Sequence, residues 1–380
     1  MTDWLIHHLR SRPRFCIFCG SPPRANTREH VIPKWLIELT GDPNREMIIG
    51  PLIGQHILHS ESSLYRTFSF SSFAFPSCGE CNSRSAGLES ATKPLLTALI
   101  HGEVLSAGDF DVILDWFDKV RVGLWLGFHF FLDRNLWGVS PHFFIQDRVG
   151  ITDRSLLIYK ADQQQPGIRF AGVNTPAFAH VPSCFTLIIN EWFLVNVSSQ
   201  FLVAEGSGLP YADHLEFAAD ERLVASIEAG KEELSPPLLR VEYSPAAVAL
   251  VQPIPGPFAS PSESADLYSS PYVNSLTLRF PRMRPLIQKR ATAAVYPSSK
   301  SDHWQPDASL PYQSLVRANA IETLSIQNQL VEMVHVSPSL DEEERKYYET
   351  EFANCVKANE KLISLFDEGR KPTSSKSEVH

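Results

Sequence analysis

The sequence predicts an α+β protein in three parts: a small unit at residues 1–105, an α+β domain at 106–310 and a helical segment at 311–370, with a disordered tail at 371–380. Three observations predict it. Two Cys-x-x-Cys pairs, Cys16/Cys19 and Cys78/Cys81, bracket the first part. Residues 109–132 carry apolar side chains at helical spacing and give way to short β-rich runs as far as 204. Residues 312–336 and 340–368 read as two helices.

The elements follow in chain order. RFCIFCGS, at 14–21, reads as a strand entering a knuckle turn. REHVIPKWLIEL begins as a short strand and becomes helical after Pro33, and residues 40–65 read as loop from their glycines and prolines. YRTFSFSSFAF, at 65–75, alternates at its start and reads as one strand. A helix is expected from about Asn82 to Gly102, kinked or divided at Pro94. Residues 109–132 form a buried helix. HFFIQD, SLLIYKA, GIRFAGV, CFTLIIN and EWFLVNVS are read as β-rich runs, the last two as a hairpin turning at Asn190 and Glu191. Residues 205–275 give no clear pattern. Ser339 is the expected N-cap of the final helix, with Asp341, Glu342 and Glu343 in its first turn.

Composition narrows the class. A chain of 380 residues is long for one core, so two or three domains are expected. An apolar content of 43% with 20% charged residues excludes a disordered chain. No apolar run approaches the roughly 20 residues that span a bilayer; the best, CFTLIINEWFLVNV, is broken by Asn190 and Glu191. The first residues lack an uninterrupted apolar core, so a cytoplasmic protein without a membrane partner is expected. The net charge of −9 argues against a whole-molecule grip on nucleic acid. Residues 1–100 are nevertheless net positive, with five arginines between 10 and 28, which suits local phosphate contact as well as an ordinary solvated surface.

Four of the six cysteines form the two pairs. In an intracellular setting such pairs bind metal more often than they form disulfides. Four thiolates are the ligand set of a tetrahedral structural zinc site. The 58 residues between Cys19 and Cys78 exceed the roughly 15–20 of a compact ribbon. Two unconnected knuckles, or buried thiols without metal, therefore stay open alternatives. Cys184 and Cys355 read as ordinary buried thiols. His56 and His59 are spaced for a metal site but sit in loop-like sequence.

The pieces CIFC, EHVIP and CGECN, in the order knuckle, strand, strand, knuckle, helix, resemble the HNH or ββα-metal (treble-clef) nucleases in their zinc-stapled form. Endonuclease VII-type resolvases and bacterial restriction and defence enzymes are the nearest comparison. The resemblance covers about residues 14–100. It implies a ββα-metal domain with zinc on Cys16, Cys19, Cys78 and Cys81. Glu29 would be a ligand of a catalytic Mg²⁺ or Mn²⁺, His30 the general base and Asn82 the second ligand. The implied function is hydrolysis of phosphodiester bonds in nucleic acid, DNA ahead of RNA, in defence against foreign DNA. Arg28, Lys34 and Arg84 are candidates for phosphate contact, and Glu89 for orienting a ligand or His30. The family more often has Asp before the His, and it carries a glycine pair after that segment that is missing here. Read singly, His30 is a half-buried strand histidine, Glu29 a surface ion-pair partner and Asn82 a helix N-cap. Two rival functions are a non-catalytic treble-clef module that binds nucleic acid or protein and an RNA-cutting toxin. Residues 106–380 could serve a protein partner.

Overall fold

The computed structural model describes residues 15–22, 27–41, 46–49, 66–69, 74–103, 105–106, 109–131, 141, 143–150, 154–199, 202–206, 211–217, 223–228, 247–252, 284–288, 291–296, 303–304, 310–334 and 341–368. The architecture is α+β. Its centre is an antiparallel sheet of seven strands: β6 (Arg154–Lys160), β7 (Ile168–Ala171), β8 (Cys184–Ile189), β9 (Trp192–Ser198), β12 (Ala247–Gln252), β13 (Arg284–Gln288) and β14 (Ala291–Tyr296). They lie in the order β13-β14-β12-β6-β9-β8-β7.

Both faces of β6, β8 and β9 are covered. Leu156, Ile158, Phe185, Leu187, Trp192 and Leu194 pack in one cluster with α3 (Asp109–Phe131). The alternate residues Leu157, Tyr159, Cys184, Phe193 and Val195 pack with α6 (Tyr312–Met333). A strand buried on both faces needs no polar alternation, which is why these segments read as continuous apolar runs. Trp116, Phe117 and Trp125 of α3 are fully buried, and each such side chain contributes about 1.5–3 kcal/mol on leaving water. The β8–β9 hairpin turns where expected. Asn190 takes a left-handed φ of 53° and its Oδ1 accepts from the Gly167 N–H at 3.0 Å.

The N-terminal unit rests on the same core. β1 (Thr27–His30) pairs antiparallel with β4 (Ala74–Ser77), placing Glu29 opposite Phe75 and His30 opposite Ala74. α1 (Lys34–Leu39) follows Pro33, and α2 (Gly79–Ile100) packs on α3. Gly123 of α3 lets Val31 approach; a Cβ there would lie 3.0 Å from both Val31 methyls. Cys16, Ile17, Val31, Phe75, Leu99 and Leu194 consequently belong to one apolar cluster.

Several expectations are corrected. Among the described residues no strand enters the first knuckle: the Cys16 N–H bonds Ser21 O at 2.8 Å and the Gly20 N–H bonds Cys16 O at 2.8 Å, closing a turn instead. The stretch 65–75 holds two strands, β3 (Arg66–Ser69) and the start of β4. Alternation breaks at Ser71–Ser72, and β3 pairs with β2 (Glu46–Ile49), inside the expected loop, rather than with β1. α2 begins at Gly79, not Asn82, because extended Cys78 is its N-cap; the Asn82 N–H bonds Cys78 O at 2.9 Å. Pro94 does not divide α2, whose buried Leu96, Leu99 and Ile100 outlast the lost hydrogen bond. HFFIQD is not a strand: Ile145–Asp147 is a 3₁₀ turn whose backbone donors go to the knuckle, Ile145 N–H to Ile17 O at 3.1 Å and Gln146 N–H to Phe18 O at 2.9 Å.

The remaining described elements are β5 (Leu105–Ser106) with β15 (His303–Trp304), α4 (Pro176–His180), α5 (Leu202–Gly206), and the pair β10 (Tyr211–Phe217) and β11 (Leu223–Glu228). The final helix, α7 (Glu342–Glu368), is capped by Asp341, whose Oδ1 accepts from the Glu344 N–H at 2.8 Å. Asp341 is thus the cap and not a first-turn residue; Ser339, His56, His59 and the tail at 371–380 lie outside the described residues. Cys184 and Cys355 are buried free thiols, as expected.

Candidate metal centre and adjoining cleft

The two knuckles meet. The Sγ atoms of Cys16, Cys19, Cys78 and Cys81 all lie within 4.8 Å of one another. This group could hold one metal ion. The 58-residue gap is bridged by the β1–β4 ladder, which returns the chain from Thr27 to Ser77, next to Cys78. Gly20 makes the first knuckle possible. Its φ is 71°, and a Cβ would sit 2.3 Å from the Phe144 ring.

The thiols titrate as a crowded group. Burial pushes the Cys16 thiol up, partly opposed by the N–H groups of Cys78, Cys19 and Phe18. Burial, then the Cys78 thiol and the charge of Cys16, raise Cys81 strongly. At Cys19 burial is outweighed by bonds from Ser21 and the neighbouring thiols, and the group falls. Four sulfurs this close cannot all ionise unaided, and a divalent cation among them would reverse that pattern.

Glu29 and His30 end β1, and Glu29 faces the helix that leaves the second knuckle. The Ser85 hydroxyl donates to Glu29 Oε1 at 3.1 Å. Asn82 sits one turn earlier, where its Oδ1 accepts from the Ser77 hydroxyl at 3.4 Å. Ser77 is in turn bonded to Thr27 of β1. The ladder therefore brings Glu29 and Asn82 to neighbouring turns of α2. No hydrogen bond joins them among the described residues. His30 is half-buried.

The sequence reading missed Lys119. Its ammonium, on a side chain 1% exposed, lies between Glu29 Oε1 and Glu89 Oε1. Glu89 also accepts from Trp35 Nε1 at 3.2 Å. Glu29 is thus a largely buried ion-pair partner, and Glu89 binds Lys119 and Trp35. A lysine within a helix read as buried was the available signal, since a buried charge must be paired. Three further calls are placed plainly. Arg28 donates to Ala74 O at 2.9 Å, across its own ladder. Arg84 pairs with Glu80 at 2.9 Å on the exposed face of α2. Lys34 is exposed at the start of α1. A cavity of about 220 Å³ adjoins the cleft, lined by Cys81, Arg84, Ser85 and Lys119 among others.

No family model, curated protein or solved structure matches the chain significantly. Among the described residues no helix is long and apolar enough to cross a membrane.

Proposed function

We propose that the chain is a zinc-stapled ββα-metal (HNH-type) endonuclease. One observation supports this reading: the four-cysteine cluster closes a two-stranded ladder that brings Glu29 to the second turn of α2, one turn from Asn82, with His30 next to Glu29 at the end of the same strand. The sulfurs fit zinc, whose bonds to sulfur of about 2.3 Å put tetrahedral thiolates within the observed range of one another.

His30, as a neutral imidazole, would accept a proton from the attacking water. Glu29 and Asn82 would hold a Mg²⁺ or Mn²⁺ ion, which supplies Lewis-acid neutralisation at the phosphate when bound. Both offer oxygen donors suited to a hard ion. Glu29 Oε1 is engaged by Lys119 and Ser85, so its second oxygen is the donor. Nucleic acid is the substrate, DNA ahead of RNA, and defence against foreign DNA is the role consistent with it.

A second reading rests on Lys119. Its ammonium already neutralises Glu29, so the cleft could serve a non-catalytic treble-clef module that binds nucleic acid. The discriminating experiment incubates the full chain with supercoiled plasmid and with RNA, with and without Mg²⁺ or Mn²⁺. Metal-dependent cleavage is expected, falling about 10²–10⁴-fold in His30→Ala while the melting temperature stays the same. Binding without cleavage in every condition would transfer the assignment to the module, and cleavage of RNA alone would assign an RNA-cutting enzyme.

A further inference from the structure

A cavity of about 400 Å³ lies away from the knuckle, between the C-terminal half of α3, the 3₁₀ turn, α4 and the start of α5. Its volume is that of a small-molecule site. Neither Glu29, His30, Asn82 nor any of the four clustered cysteines lines it, and among the described residues no carboxylate does.

Its polar wall is built from buried donors. The Arg121 guanidinium is 2% exposed; it donates through Nη1 to Asn196 Oδ1 at 2.5 Å and pairs through Nη2 with Asp118 Oδ1 at 2.7 Å. Its Nε has no partner. Ser183, 1% exposed, likewise has an unpartnered Oγ. Arg121 and Ser183 are among the residues that line the cavity, and each keeps one buried polar atom without a partner, which costs about 1–3 kcal/mol. Arg148 adds a second guanidinium, stacked 4.3 Å from the Phe143 ring, with no ion pair among the described residues. Asp118 is shared between Arg121 and Arg154, at 2.7 and 2.6 Å, and Arg154 pairs also with Asp111 and Asp115. Burial and then the charge of Arg121 lower the Arg148 pKa, partly opposed by Asp118 and Asp147. The other wall is apolar, formed by Phe143, Pro182 and Leu202.

We propose that this cavity binds a small phosphomonoester, with the phosphate on Arg121, Arg148 and Ser183 and an apolar body against Phe143 and Leu202. Phosphate suits the donors better than carboxylate. Two guanidinium groups and a hydroxyl offer more N–H and O–H groups than one planar carboxylate can meet, whereas a phosphate has oxygens in three directions. The proposal is independent of the nuclease reading.

The experiment is calorimetric titration of the full zinc-loaded chain with phenyl phosphate, inorganic phosphate and phenol. Phenyl phosphate should bind at one site per chain, inorganic phosphate more weakly at the same site, and phenol not at all. Equal affinity for the two phosphates would assign the site to the free anion. Arg148→Met, at a half-exposed position, should weaken phenyl phosphate roughly tenfold or more without moving the melting temperature. Ser183→Ala provides a second variant and should weaken it severalfold. Failure of both phosphates to bind at millimolar concentration, or unchanged affinity in both variants, would overturn the proposal.

Discussion

Lys119 governs the chemistry of the cleft. It is fully buried, while the side chains of Glu29 and Glu89 are 13% and 16% exposed. Removing the ammonium would leave two carboxylates facing each other with little water. Breaking a buried pair costs about 3–5 kcal/mol, and the residual exposure of the carboxylates reduces that to about 2–4 kcal/mol for Lys119→Met. Urea unfolding measures it. The double variant Lys119→Met/Glu89→Gln should recover part of the loss, and a loss below 1 kcal/mol in the single variant would show that the pair carries little. At this scale the sequence was legible where chemistry is local. EHVIP and the two Cys-x-x-Cys pairs announced their own neighbourhood. It was illegible where a partner comes from another element, because nothing within residues 27–35 points to a lysine in α3.

Element by element, the hydrophobic period placed α3, β6, β8, β9 and α6 to within a few residues, since each buries a regular pattern. It failed for HFFIQD, where a 3₁₀ turn gives its backbone donors to the knuckle, and at 65–75, where pairing with β2 and β1 splits an apparently single strand. α6 also carries a polar seam invisible to periodicity. Gln327 donates to Gly172 O at 2.7 Å and Cys184 O at 2.8 Å, and its Oε1 accepts from Thr175 at 2.7 Å. Five residues before it, Glu322 is 4% exposed and accepts from the Tyr159 hydroxyl at 2.7 Å. Burial raises Glu322 to about 8 from 4.5, with Tyr159 pulling the other way. The folded state therefore holds this proton more tightly than the unfolded chain. The resulting stability is fully present below about pH 4.5 and is lost as pH rises through 8. At 1.4 kcal/mol per unit the loss is on the order of several kcal/mol. Glu322→Gln should flatten the decline of the melting temperature between pH 5 and 8. A wild-type slope in that variant would place the titration elsewhere.

Over the whole molecule, α3 joins everything: α2 and the knuckle on one side, the central sheet on the other. A metal-stapled unit that shares its core with the sheet should not melt alone. If zinc is the ion at the four sulfurs, stripping it removes on the order of 10 kcal/mol. The expected result is one cooperative transition shifted to lower temperature, with about one zinc per chain in the untreated protein by metal analysis. Cys78→Ser should behave like the stripped protein. A separate low-temperature step, with the remainder unchanged, would show the unit to be autonomous. The core that the N-terminal unit shares with the sheet was not legible in the sequence, because it depends on Val31 meeting Gly123 across unrelated stretches.

The strand order has a consequence for how the chain is made. β6 lies between β9 and β12, and β9 ends at Ser198 whereas β12 ends at Gln252. On a ribosome adding about 5–20 residues per second, the ladder β7-β8-β9-β6 is finished several seconds before its missing neighbour emerges. For that interval one long edge of β6 has open backbone donors and acceptors, the feature through which half-made sheets stick to one another. The nascent protein passes through a window in which a chaperone, or simply low local concentration, must stand in for β12.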